Sequence, residues 1–189
     1  FDARERRRAL LALLEKVKAG EIGLCKPGEF VNLHCHTFFS YNTYGYSPTK
    51  FAWLARKAGL AVAGTTDFDV LDALDEFRET CRLLDLKGCS GFETRVYVPE
   101  FSTRVINSPG EPGISYHMGV GFPNSQVPAS QQGFLHGLKK TAQQRNRDLM
   151  QRVNKYLSPV ELDYERDVLA LTPAGNATER HMCLAYARK

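Results

Sequence analysis

The run 31–40, VNLHCHTFFS, places two histidines, His34 and His36, one residue apart at the end of an apolar stretch. In an extended strand, side chains at i and i+2 share a face, so the two imidazoles are expected to project together while Cys35 turns away. Paired imidazoles joined by a carboxylate suit Zn, Mn or Fe, and such a carboxylate can bridge two ions in a site for water activation. Other chemistry-bearing residues fall at comparable places: Asp67 closes a second apolar run, Glu93 lies in a third, His117 in a fourth, and His181 follows a fifth. Taken singly, each histidine reads more readily as an ordinary, partly buried, hydrogen-bonded side chain. Their shared position near expected strand ends is what favours ligation, because loops converge there in α/β folds.

The elements that must position these residues alternate. Leu10, Leu13, Leu14 and Val17 recur at helical spacing up to Gly20, which predicts an amphipathic helix within residues 1–22. VNLHCHT is rich in strand formers. SPTKFAWLARKAG then supplies Ser47 as N-cap, Pro48 at the first helical position and Gly59 as the stop, with Phe51, Leu54, Ala55 and Ala58 as the apolar stripe. LAVAGTT is a continuous apolar run suited to a buried parallel strand, and the following helix is expected to bury Leu71, Leu74, Phe77, Cys81 and Leu84.

CSGFETRVYV and ISYHMGVGF read as a third and a fourth strand, with a loop over 99–113 and no helix between them. A long helix is expected over 131–157, burying Leu135, Leu138, Ala142, Leu149, Val153 and Tyr156; DVLALT reads as a fifth strand and ATERHMCLAYARK as the start of a last helix. The alternation predicts an α/β fold with parallel strands joined by right-handed crossovers, in one domain over 1–189.

Composition narrows the function classes. The apolar fraction of 43% is that of a globular chain with a packed core, and no apolar run is long enough to cross a bilayer. Five cysteines without a CxxC pair fit reduced thiols and a cytoplasmic location. The net charge of +4 is mild, and much of it lies in FDARERRR and KKTAQQRNRDLMQRVNK, both read as solvated helix faces. That balance, without a stripe of interleaved aromatic and basic residues, speaks against nucleic acid as the partner. His136, beside Lys139 and Lys140, receives no role.

The HCHTFFS segment resembles the opening His-x-His-Thr/Ser-x-x-Ser motif of the PHP (polymerase and histidinol phosphatase) family. SPTKFAWLARKAGLAVAGTTDFD resembles the helix, Ala-Gly-Leu turn and strand leading into the family's Thr-Asp-His-Asp motif, GFE at 91–93 resembles its Gly-x-Glu strand, and His117 its next histidine. The likeness is good over 31–94, thinner to 122 and faint beyond. It implies a distorted seven-stranded β/α barrel, of which only about five strands are readable here, so that either the parent protein is longer, the favoured expectation, or the chain is a reduced version with an incomplete site. It also implies a metal-dependent phosphoesterase that hydrolyses a phosphate ester with a metal-activated water. His34 and His36 would bind a first ion, Glu93 would bridge to a second, and His117 would bind the second; one or two Zn, Mn or Fe ions are expected. Arg95, two residues beyond Glu93 on the same strand face, would grip a phosphate oxygen or else form a rim ion pair.

Three positions depart from the family pattern. Phe68 stands where a ligand histidine is usual, Asn42 where some members carry another, and Thr172, in LALTPAGN, at a further ligand position. His181 is a candidate substitute ligand, and Asp67 a candidate ligand or, more in keeping with its place, a hydrogen-bond partner of a ligand imidazole or a helix cap. Two readings follow: a hydrolase with a reduced site acting on a small phosphorylated substrate or nucleotide, or a degenerate PHP domain without catalysis that serves as a binding or structural module.

Overall fold

Asp2 opens the first helix, α1 (Ala3–Lys18), by accepting the amide of Arg4 at 2.8 Å, in a computed structural model that describes residues 1–189. Ser47 does the same for α2 (Pro48–Lys57), accepting the amide of Lys50 with Pro48 at the first turn. Gly59 then turns the chain at φ +77°, a conformation that a side chain disfavours. The remaining long helices are α3 (Leu74–Leu83), α4 (Ala129–Leu157) and α5 (Glu179–Ala187). No helix is long and apolar enough to cross a membrane.

Four strands form one sheet in the order β1 (Val31–Asn32), β2 (Val62–Phe68), β3 (Lys87–Tyr97), β4 (Ile114–Val120). β2 is central and buried along most of its length, as its unbroken apolar run requires, and pairs in parallel with both β1 and β3. β4 is antiparallel to β3, so the expectation of an all-parallel sheet fails there. The connection over 98–113 holds only a short 3-10 turn, Pro99–Phe101; with no crossover helix to carry the chain back, β4 returns beside β3 in the opposite direction.

The core divides into two apolar clusters, the first packed on this sheet. Leu10, Trp53, Ala55, Phe77, Cys81 and Leu84 unite α1, α2 and α3 against β2, as the stripes of α1 and α3 predict; in α2 the buried side is shifted to Ala52, Trp53 and Ala55, with Phe51 and Leu54 half-buried and Ala58 exposed. The second joins α4 to α5 through Met150, Leu162, Tyr164, Val168, Ala177 and Met182. The fifth strand expected at 167–172 is not formed: Tyr164–Val168 is a π turn and Leu169–Leu171 a 3-10 turn. Tyr164 and Val168 both enter the second core, and Asp163 caps the turn on the amide of Arg166 at 2.7 Å. A short apolar run carries no period that separates a strand from such a turn.

The buried stripe of α4 is also rotated from the expected one. Gln143 and Asn146 are buried beside Ala142 and Met150, whereas Tyr156 is 88% exposed. The polar pair is held in place by hydrogen bonds: Gln143 donates to the Ala177 carbonyl and accepts from the Tyr164 hydroxyl, and Asn146 donates to the same carbonyl at 2.8 Å, its Oδ1 being left without a partner. All five cysteines are free thiols.

Candidate metal centre and its cavity

The histidines stand just beyond β1, not within it. Asn32 Oδ1 accepts the amide of His34 at 3.1 Å, a local turn that ends the ladder after two residues. The chain nevertheless stays against β2, because the amide of Thr66 donates to the Cys35 carbonyl at 2.9 Å. It lies close enough at Leu33 that a Cβ on Gly64 would fall 2.9 Å from the Leu33 Cα, so glycine is required there. The imidazoles come side by side, ring centres 5.3 Å apart.

Both meet Glu93. One carboxylate oxygen, Oε2, lies 3.1 Å from His34 Nε2 and 3.3 Å from His36 Nε2. The ligand atoms of the three residues all fall within 4.8 Å of one another. Burial alone would push the Glu93 carboxyl up, but the neighbouring imidazoles of His36 and His34 outweigh burial and hold it below the usual carboxylate range.

Asp67 lies beneath this cluster and is fully buried. It accepts the Thr37 amide at 2.7 Å, the Thr37 hydroxyl at 2.7 Å and the Ser40 hydroxyl at 2.6 Å. With its proton committed to Asp67, Ser40 Oγ must accept from His36 Nδ1, 3.1 Å away. That fixes the proton of a neutral His36 on Nδ1 and leaves the Nε2 lone pair facing Glu93. Asp67 therefore orients a histidine through Ser40 and has no oxygen turned to the cluster.

Two expected ligands stand elsewhere. In the antiparallel register, Glu93 faces Met118 and Arg95 faces Tyr116, so His117, opposite Thr94, takes the other face and is exposed. Tyr116 enters the cavity instead, near Phe68 and Arg95. His181 is buried in the first turn of α5, where its Nδ1 accepts the Thr178 amide at 3.0 Å; burial pushes its pKa down to about 4. With Nδ1 engaged, the neutral ring carries its proton on Nε2 and offers no lone pair to an ion.

The departures from the family pattern have structural roles here. Phe68 stacks on His36 with ring centres 4.6 Å apart and planes 21° apart. Asn42 donates to the His36 carbonyl and accepts the amides of Tyr44 and Tyr46, ordering the loop over the site. Thr172 donates to the Leu169 carbonyl at 3.0 Å, outside the cluster.

The cluster opens into a cavity of about 800 Å³ whose lining includes His34, His36, Glu93, Arg95, Tyr116 and Arg145. Arg95 shares that cavity with Glu93, as their strand spacing predicts, and forms an ion pair with Glu111 from the 99–113 loop. Asp69 also lines it, accepting the Thr94 hydroxyl at 2.6 Å, with burial pushing its carboxyl up. Sequence reasoning passed over Asp69, although it ends the quoted TTDFD motif. It also read Arg145 as part of a solvated face; only the burial of Gln143 and Asn146 reveals that this side of α4 turns inward.

No family model matches the sequence, and no curated protein matches it. Two solved structures share the fold. One, from Bifidobacterium adolescentis, is called a "putative metal-dependent phosphoesterase"; it has a TM-score of 0.66 at 20% identity, over 87% of this chain and 51% of its own. The other, an amidohydrolase from Chromobacterium violaceum solved with bound sulfate and no metal, has a TM-score of 0.62 at 15% identity, over 84% of this chain and 48% of its own. The chain thus spans about half the length of each, and its curled mixed sheet forms part of such a barrel. The likeness establishes the fold to which the sequence motifs pointed.

Proposed function

We propose that the chain is the metal-binding part of a phosphoester hydrolase, with His34, His36 and Glu93 holding one divalent cation. The observation that carries this reading is the approach of two imidazole nitrogens to one carboxylate oxygen; the Ser40 contact on Nδ1 argues that a neutral His36 turns its lone pair to that oxygen. A lone pair and a carboxylate repel each other unless a proton or cation lies between them, and two imidazoles with one carboxylate make a donor set that leaves a position open to the cavity. A bound Zn, Mn or Fe ion supplies Lewis-acid activation of water and neutralises phosphoryl charge. The residues around it orient and bind: Ser40 and Phe68 fix the His36 ring, and Arg95 is placed to hold a phosphate oxygen once Glu111 is displaced. The named activity of the Bifidobacterium protein and the sulfate on the Chromobacterium protein agree with this reading.

Phe68 favours a second reading. A ring stacked on His36 where the family places a ligand fits a domain that binds without catalysis. Elemental mass spectrometry of untagged protein, beside the double variant His34→Ala, His36→Ala, tests the metal centre. About one equivalent per chain in the wild type and none in the variant is expected; no metal after incubation with zinc, manganese and ferrous ions overturns the hydrolase reading. Metal without phosphate release from a panel of phosphate esters leaves the binding module.

A further inference from the structure

Arg95 on β3 and Arg145 on α4 line the same cavity, and each has a buried Nε–H with no hydrogen-bond partner. A buried donor left unmade is costly, and two of them on guanidinium groups bordering one cavity need an explanation. Their ion pairs do not supply it: Arg95 reaches Glu111 through Nη2, and Arg145 Nε lies 3.9 Å from Glu179 Oε1, beyond hydrogen-bond reach. Both positive charges act on Glu111 and on Asp69, where they counter in part the burial that pushes the Asp69 carboxyl up.

We infer that Arg145 and Arg95 together clamp the terminal phosphate of a monoester, Arg145 being a specificity-determining residue. The inference deepens the hydrolase reading and rests on it for the identity of the anion. Each guanidinium presents a fork of donors suited to paired oxygens. A diester has only two non-bridging oxygens, which two forks and a cation would have to share, whereas a monoester has three. Glu111, on the loop that follows β3, holds Arg95 until the phosphate replaces it.

The test is calorimetric titration of chelator-treated protein with methyl phosphate and with dimethyl phosphate. Wild type is expected to prefer methyl phosphate by about tenfold or more, the scale of one charged hydrogen-bonding partner. Arg145→Gln should lose that preference, and Arg145→Lys, which keeps the charge but has no fork, should regain little of it; if the glutamine variant does not fold, the lysine variant decides. Glu111→Gln should tighten methyl phosphate by freeing Arg95. Methyl phosphate binding that is unchanged in both Arg145 variants, equal binding of the two esters by wild type, or binding of neither overturns the inference. Metal content, read separately, keeps the two readings apart. Metal-loaded protein indifferent to Arg145 sinks only the clamp, and metal-free protein that discriminates through Arg145 sinks only the hydrolase.

Discussion

The hydroxyl of Ser40 donates to the carboxylate of Asp67 at 2.6 Å, and this one bond decides which nitrogen of a neutral His36 carries the proton. The relation ties a fully buried acid at the end of β2 to a candidate ligand on the preceding loop. Removing the hydroxyl frees the imidazole to adopt either tautomer and to rotate. Ser40→Ala is therefore expected to weaken zinc binding by about 10–100-fold, the usual cost of losing a group that orients a ligand. Zinc titration by calorimetry reads the change, and an unaltered far-UV spectrum separates it from unfolding.

Metal binding should also appear as stability. A cation that binds only the folded chain adds about 2.7 kcal/mol at a hundred times its Kd. Chelation is expected to lower the Tm of the wild-type protein and to leave that of the His34→Ala, His36→Ala variant unchanged. Equal shifts in the two proteins would place the stabilising ion somewhere other than between His34, His36 and Glu93.

Much of the path to this site was legible in local sequence. Ser47 and Pro48 announce α2, LAVAGTT announces a strand buried on both faces, and the spacing of Leu74, Phe77 and Cys81 announces α3, because each signal needs only near neighbours. His34, His36 and Glu93 were legible because strand ends converge. The direction of β4 was misread even though the 99–113 loop already showed no helix for a parallel crossover; one step of register there exchanges His117 for Tyr116 in the cavity. DVLALT was misread because its apolar run of four residues, Val168 to Leu171, fits a strand and a pair of helical turns alike. Arg145 stayed hidden because Gln143 and Asn146 are polar, and their burial depends on partners more than thirty residues away.

Glu76 joins α3 to two other helices and should make their union depend on acid. It accepts Arg6 Nε at 2.9 Å, the Thr49 amide at 3.1 Å and the Thr49 hydroxyl at 2.7 Å. Burial pushes its carboxyl up, but the bonds to Arg6 and Thr49 outweigh burial and hold it below the usual range. A carboxyl depressed on folding stabilises the fold above its unfolded pKa, and that contribution is lost as pH falls through the folded value. Glu76→Gln is expected to cost about 2 kcal/mol near neutrality, because Arg6 is left without its partner. The difference from wild type in urea unfolding should shrink steadily below the ordinary carboxylate range; a gap that persists in acid would assign the loss to packing.

His181 predicts a second, higher window. Burial lowers its pKa from 6.5 to about 4 in the folded chain. Above the unfolded value the ring is neutral in both states and pH has no effect through it. Between the two values the unfolded chain takes up a proton that the folded one refuses, so stability falls as pH falls, by about 3 kcal/mol in all. His181→Gln separates this from every other titration, because glutamine at the third position of α5 can still accept the Thr178 amide that His181 Nδ1 now accepts. The variant should match wild type in urea unfolding near pH 7.5 and become the more stable of the two as pH drops through the window. Curves that stay parallel would mean that the folded chain protonates His181 as readily as the unfolded one, which its place in the first turn of α5, edge-on to Tyr41 with ring centres 4.9 Å apart, argues against.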